Sequence, residues 1–240
     1  MGETRRQGNA FEACGEQSMQ NEVQPNAVPT SSRPLRDSSL FITVPEAEPV
    51  VRRWRAEYDR TAPVGFPAHI TLLYPFLPPN LITDRVTRDL AELFAGMPPF
   101  EFKLSGVCGF RGLVWLAPEP AEPFVRLTRE LCAAYPQLRP YGDGTRTVPP
   151  HLTVARSQDI GFLRDVSQEL TNALPVTASA REIWLLAESQ PTWRVHSRYQ
   201  LGQRHVSASE TRTIGRHING APAPQEGSPS GLHPQAGTPP

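Results

Sequence analysis

The sequence predicts a mixed helix-and-strand domain of two similar lobes, each presenting one histidine and one threonine to a shared cleft. Three observations point there. Strand and helix signals alternate from residue 38 to residue 203. A His-x-Thr pattern occurs twice inside apolar strands, in "PAHITLLYPF" from Pro67 and in "PPHLTVAR" from Pro149. Each copy is followed by a helical pattern and then by a pair of strands, the mark of an internal duplication with about eighty residues per repeat.

The elements follow in order. "LFITV" (40–44) is a β-branched run bounded by Ser38-Ser39 and Pro45, hence a buried strand. From Glu46 to Tyr58, Val50, Val51, Trp54 and Tyr58 recur at helical spacing. "HITLLY" (69–74) is the next strand, and "ITDRVTRDLAELF" (82–94) aligns Val86, Leu90, Leu93 and Phe94 on one helical stripe. "FEFKLSGV" (100–107) alternates as a strand does, with "GLVWLA" (112–117) as its hairpin partner. Phe124, Leu127 and Leu131 mark a third helix, "HLTVA" (151–155) a strand, and Phe162, Val166 and Leu170 a fourth helix. "ASAREIWLLAE" (178–188) and "WRVHSRYQLG" (193–202) close the domain as two more strands.

Residues 1–37 are rich in Gln, Asn, Ser, Glu and Pro and residues 204–240 in Pro and Gly, neither with an apolar period, so both are expected to be disordered tails around one domain, 38–203. With 24 basic against 24 acidic residues the formal net charge is zero, which gives no global attraction to nucleic acid or membrane. Lys103 is the only lysine. A phosphate held by a cation here would therefore be held by an arginine. No run approaches the roughly 18 apolar residues of a membrane span, and the first thirty residues carry no apolar leader. Three cysteines, an odd number without a CxxC pair, argue against a disulfide framework or a cysteine zinc site. A soluble, cytoplasmic protein is expected.

Side chains at i and i+2 of a strand share a face. His69 and Thr71 therefore face one way while Ile70 and Leu72 face the core, and His151 and Thr153 stand likewise against Leu152 and Val154. Two imidazoles and two hydroxyls in one cleft suit phosphodiester cleavage. An imidazole serves as base or acid near neutral pH. The reaction needs both, one to activate the attacking oxygen and one to protonate the leaving oxygen. A threonine hydroxyl can donate to a non-bridging phosphate oxygen, where negative charge is stabilised. No metal or other cofactor is called for: neither histidine has a second histidine or a carboxylate at i+2, and there is no HExxH. A single His-x-Thr is an ordinary strand sequence; it is the paired occurrence, each copy preceded by proline, that carries meaning.

With both motifs in view, the chain resembles the 2H phosphoesterase superfamily, the 2′-5′ RNA ligase-like or cyclic phosphodiesterase proteins, whose mark is two His-x-Thr/Ser motifs. Here these are "HIT" at His69–Thr71 and "HLT" at His151–Thr153, and "PAHITLLYPF", "PHLTVAR" and the connecting "GFRGLVWLAP" resemble the bacterial branch. The resemblance spans about residues 38–203. It implies an α+β fold in two lobes, two antiparallel sheets flanking a central cleft with helices outside. It implies metal-independent action on a 2′,3′-cyclic phosphate or a 2′-5′ phosphodiester of RNA ends or small nucleotides, with His69 and His151 as the acid–base pair and Thr71 and Thr153 binding the phosphate. The zero net charge favours a short or small substrate over long RNA, and a monomer is expected. The alternative is a non-catalytic nucleotide- or RNA-binding module of the same fold.

Other residues are weighed on strand parity. Arg156 and Tyr74 each lie five after a motif histidine, so a regular strand turns both away from the cleft; Arg156 reaches it only if its strand ends or bulges first. Phe76 reads as core, with base stacking as the other option. Residues 141–150 are a Gly-containing loop that either shapes the cleft or merely connects. His196 reads as structural, His205, His217 and His233 as solvated, and Trp54, Trp115, Trp184 and Trp193 as packing.

Overall fold

A computed structural model describes residues 37–110, 112–138, 148–189 and 192–203. The two expected tails lie outside the described residues, apart from Asp37, as do residues 141–147 of the loop before the second motif.

Among the described residues the first element is β1 (Ser38–Thr43), whose Leu40, Phe41 and Ile42 are buried on both faces. Helix α1 (Glu48–Tyr58) has a proline in its first turn, where no amide donor is required, and buries Val51 and, unexpectedly, Arg55. Then come β2 (His69–Leu73) and α2 (Asp84–Ala95). The Thr83 hydroxyl caps α2 by accepting the Val86 amide at 3.4 Å. Strands β3 (Phe100–Phe110) and β4 (Leu113–Glu119) form the expected hairpin. Helix α3 (Glu122–Ala134) buries Phe124, Leu127 and Leu131 as its spacing requires. Strand β5 (Leu152–Arg156) is followed by α4 (Ile160–Ala173), capped by the Asp159 carboxylate on the Phe162 amide at 3.0 Å.

The last strands differ from the sequence reading. The segment expected as one strand is two, β6 (Val176–Ala180) and β7 (Glu182–Ser189), broken at Arg181 and placed in different sheets; β8 (Thr192–Gln200) follows. The parity of the buried residues changes at the break, from Ala178 and Ala180 to Ile183 and Leu185, so one flat strand could not bury both pairs. The Arg181 carbonyl leaves the ladder and accepts the Leu201 amide at 2.8 Å.

Two four-stranded antiparallel sheets result, ordered β2-β1-β7-β8 and β5-β4-β3-β6. This is the expected α+β architecture of two sheets with four helices. The lobes are not sequence halves, however. Strands β3 and β4 follow the first motif yet build the sheet of the second, and β7 and β8 return to complete the sheet of the first. Helix α2 packs on β8 and α4 on β3, each covering its own sheet, while α1 packs on β5 and α3 on β2, each against the motif strand of the other sheet. One core cluster consequently runs through both sheets. Strands β2 and β5, the edge strands that carry the two motifs, are neighbours.

Candidate active site

Each motif histidine is tied down the same way. The Nδ1 of His69 bonds the Pro67 carbonyl at 2.7 Å, and that of His151 bonds the Pro149 carbonyl at 2.9 Å. A carbonyl only accepts, so Nδ1 carries the proton in both rings and the neutral ring keeps its lone pair on Nε2. The prolines that precede the motifs thus supply the acceptors. Their carbonyls lie ahead of the strands and are not committed to a ladder.

Both rings are half-buried. Burial pushes His69 down to about 4, opposed in part by the Pro67 carbonyl, while the positive charges of Arg55 and His151 push it further down and Asp59 pulls it back. Burial also lowers His151 below 6.5, against the Pro149 carbonyl and with the charge of Arg156. Both are neutral in the unliganded protein at pH 7. Each histidine rests against an aromatic residue of the next strand: Phe41 lies 4.8 Å from the His69 ring and Trp115 lies 6.3 Å, edge-on, from the His151 ring. The same two aromatics are the strand partners of the threonines, Phe41 of Thr71 and Trp115 of Thr153, and both threonines are half-buried.

The strands then depart from regular alternation at matching places. Phe41 pairs with Thr71 and Leu40 with Leu73, which leaves Leu72 as the extra residue of a bulge. Trp115 pairs with Thr153 and Val114 with Ala155, which leaves Val154 extra. The consecutive apolar pairs Leu72-Leu73 and Val154-Ala155 are all buried in consequence. A bulge reverses the parity of the residues beyond it. Arg156 therefore pairs with Leu113, on the face of Trp115 and His151, and the parity argument that turned it away from the cleft is corrected. Tyr74 is turned by the same device: its ring lies 6.4 Å from Trp193, which packs on Phe66, which in turn lies 5.2 Å from His69. The Leu72 carbonyl freed by the bulge accepts the Thr128 hydroxyl of α3 at 3.1 Å.

The motif faces are unlike despite the repeat. The first is walled by Phe41, Phe66 and Leu186, with Trp184 and Trp193 packed on them. Arg198 lies over the Trp184 ring, 4.1 Å from its centroid. The second carries Trp115 and Arg156. Three of the four tryptophans thus lie on the histidine faces of the sheets, a placement that residue type and spacing did not reveal; Trp54 packs on Phe162 of α4. Phe76 is core, 3% exposed and edge-on to Tyr135. His196 is exposed and its Nδ1 bonds the Ser197 hydroxyl at 2.9 Å. Among the described residues no three His, Cys, Asp or Glu side chains come together as a metal site, and no helix is long and apolar enough to cross a membrane. A cavity of about 350 Å³ is lined by Thr43, Glu46, Ser179, Arg181, Glu182 and Gln200; neither histidine borders it.

Among solved structures, the chain is similar to Escherichia coli LigT complexed with 3′-AMP, at 19% identity and a TM-score of 0.47, over 70% of this chain and 99% of that one. It is similar to TT0787 of Thermus thermophilus at 20% identity and a TM-score of 0.47, over 70% of this chain and 100% of that one. No curated protein sequence matches the chain. The family model described as the 2′-5′ RNA ligase superfamily matches residues 43–192, more than half of the sequence and both motifs. The chain belongs to the 2′-5′ RNA ligase superfamily, as its two His-x-Thr strands implied.

Proposed function

We propose that this protein is a metal-independent phosphodiesterase acting on a 2′,3′-cyclic phosphate or a 2′-5′ phosphodiester of RNA ends or small nucleotides. The observation that carries the reading is the matched pair of imidazoles on neighbouring strands, each held through Nδ1 so that Nε2 is free for proton transfer. On a cyclic phosphate, one Nε2 takes a proton from water as the water oxygen bonds to phosphorus. The opposite P–O bond to the ribose breaks, and the leaving oxygen receives a proton from the Nε2–H of the other, protonated ring. Thr71 and Thr153 donate to the non-bridging oxygens. The substrate's own negative charge favours the imidazolium that serves as acid.

The test is turnover of nucleoside 2′,3′-cyclic phosphates and of a 2′-5′-linked dinucleotide with EDTA present. Turnover with a single product isomer is expected. Binding of nucleotide by the folded protein without turnover would mean the non-catalytic binding module, and loss of turnover with EDTA would mean a metal enzyme.

The pH dependence of kcat/KM follows from the two rings. The base must be unprotonated, so activity falls as pH drops through the His69 value of about 4. The acid must be protonated, so activity falls as pH rises through the His151 value, below the ordinary 6.5. Exchanging the roles leaves the same two ionisations bounding the same bell. The expected profile therefore peaks on the acid side of pH 6.5, and a plateau that rises through pH 8 would contradict a base and an acid drawn from this pair.

A further inference from the structure

The last turn of α1 buries a full ion pair that the proposed chemistry does not use. Arg55 is 2% exposed and Asp59 3%. The Arg55 Nε donates to Asp59 Oδ2 at 2.9 Å. Its Nη2 donates to the Phe66 carbonyl at 3.2 Å and to the Thr61 hydroxyl at 3.3 Å, and its Nη1 lies 3.6 Å from Glu48 Oε1. Asp59 in turn accepts the Thr61 amide at 3.1 Å and the Thr61 hydroxyl at 2.9 Å, while Glu48 Oε1 accepts the Ala68 amide at 2.6 Å.

These bonds converge on one short segment. The Phe66 carbonyl and the Ala68 amide are anchored, and between them sits Pro67, whose carbonyl holds His69 Nδ1 at 2.7 Å. The Phe66 ring adds a wall 5.2 Å from the imidazole. Among the described residues no ion pair brackets Pro149, the matching residue before His151. Stability alone does not account for the pair, because replacing both buried charges with apolar side chains of similar volume is commonly neutral or favourable. What apolar packing cannot do is hold a chosen carbonyl and a chosen amide at fixed points.

We infer that Arg55, locked by Asp59, is a positioning residue for His69: it holds the 59–68 segment so that the Pro67 carbonyl keeps the ring in the Nδ1–H form with Nε2 turned to the substrate. The inference rests on the phosphodiesterase reading for its catalytic consequence, and on hydrogen bonds alone for its effect on the ring.

The test compares the wild-type chain with Arg55→Met and Arg55→Met/Asp59→Leu. The ring ¹⁵N shifts of His69 are read by NMR, with those of His151 as internal reference, alongside kcat and KM for a nucleoside 2′,3′-cyclic phosphate. In wild type a single Nδ1–H form of His69 is expected. In both variants it gives way to a mixture while His151 is unchanged. The expected loss in kcat is about 10- to 100-fold, with KM within about threefold, as for a displaced catalytic group. The double variant separates positioning from support: a melting temperature near wild type with kcat still low is expected. A folded double variant with wild-type His69 shifts, or with wild-type kcat, overturns the inference. Should Arg55→Met fail to fold, Thr61→Val removes only the hydroxyl's bonds and is read the same way. Should wild type turn over no phosphodiester, the proposed function falls while the ring shifts still decide whether Arg55 positions His69.

Discussion

Replacing either His69 or His151 by alanine is expected to lower turnover of a 2′,3′-cyclic phosphate by about 10²- to 10⁴-fold, the range for removing one general acid or base. KM is expected to change little if, as proposed, the Thr71 and Thr153 hydroxyls hold the phosphate. The double variant should be scarcely worse than either single one, since base and acid act in the same displacement and their losses do not add. The two single variants also assign the roles. With an aryl phosphodiester, whose leaving oxygen departs without a proton, removal of the acid costs little while removal of the base costs as much as before. The Nδ1 bonds are alike on both rings and do not decide between them. The environments differ, however: His69 lies between Phe41 and Phe66, whereas His151 shares its face with a guanidinium. A variant of either histidine that keeps full turnover would place that histidine outside the chemistry and overturn the two-histidine mechanism.

The legibility of this site was uneven, and the reasons are local. His69, Thr71, His151 and Thr153 could be read from a period of two because the first three residues of each motif keep regular alternation. Arg156 and Tyr74 could not, because the bulges at Leu72 and Val154 lie between them and the histidines. The clue was present as two successive buried apolar residues after each threonine, a pattern that regular alternation forbids but a bulge requires. The break at Arg181 left a similar trace, a one-residue change in the parity of buried positions, masked by a continuous run of strand-forming residues.

The helices are legible where their buried stripes are apolar, Leu90 and Phe94 in α2 or Val166 and Leu170 in α4, although in α4 the third buried apolar residue is Leu163 and not the expected Phe162, which is half-buried. Arg55 of α1 is not legible in the sequence, since nothing in its spacing distinguishes a buried arginine from the exposed ones beside it. Its burial is a product of its partners, Asp59, Thr61 and Phe66, and these are joined only once the chain has turned from α1 into β2. Sheet membership was hidden for a further reason. The repeat is real at the level of motif strand and helix, but β3 and β4 cross to the second sheet, so the lobes interleave in sequence.

Replacing Arg156 by methionine is expected to lower kcat/KM by about 10²-fold, the loss typical of removing one preorganised donor to an oxyanion. Methionine keeps the length and apolar stem of the side chain and removes only the guanidinium. The strand bulge places Arg156 on the His151 face, and its charge acts on that ring. No ion pair among the described residues holds it in place. Desolvation lowers its pKa, with Asp59 opposing and Arg60 adding to the shift; a guanidinium nevertheless stays charged at any pH of interest. A phosphodiester brings one negative charge into the cleft and gathers more on its non-bridging oxygens as the attacking oxygen bonds. A cation beside those oxygens therefore binds the transition state more tightly than the substrate, and both a raised KM and a lowered kcat follow. Arg156→Lys is expected to recover only part of the loss, because an ammonium reproduces the charge but not the two parallel donors of the fork. Added salt should weaken wild-type binding and leave Arg156→Met less affected. If Arg156→Met instead retains kcat/KM within twofold of wild type, the phosphate does not lie against the end of β5. The bulge after Thr153 would then serve to bury Val154 and Ala155 and not to aim a cation.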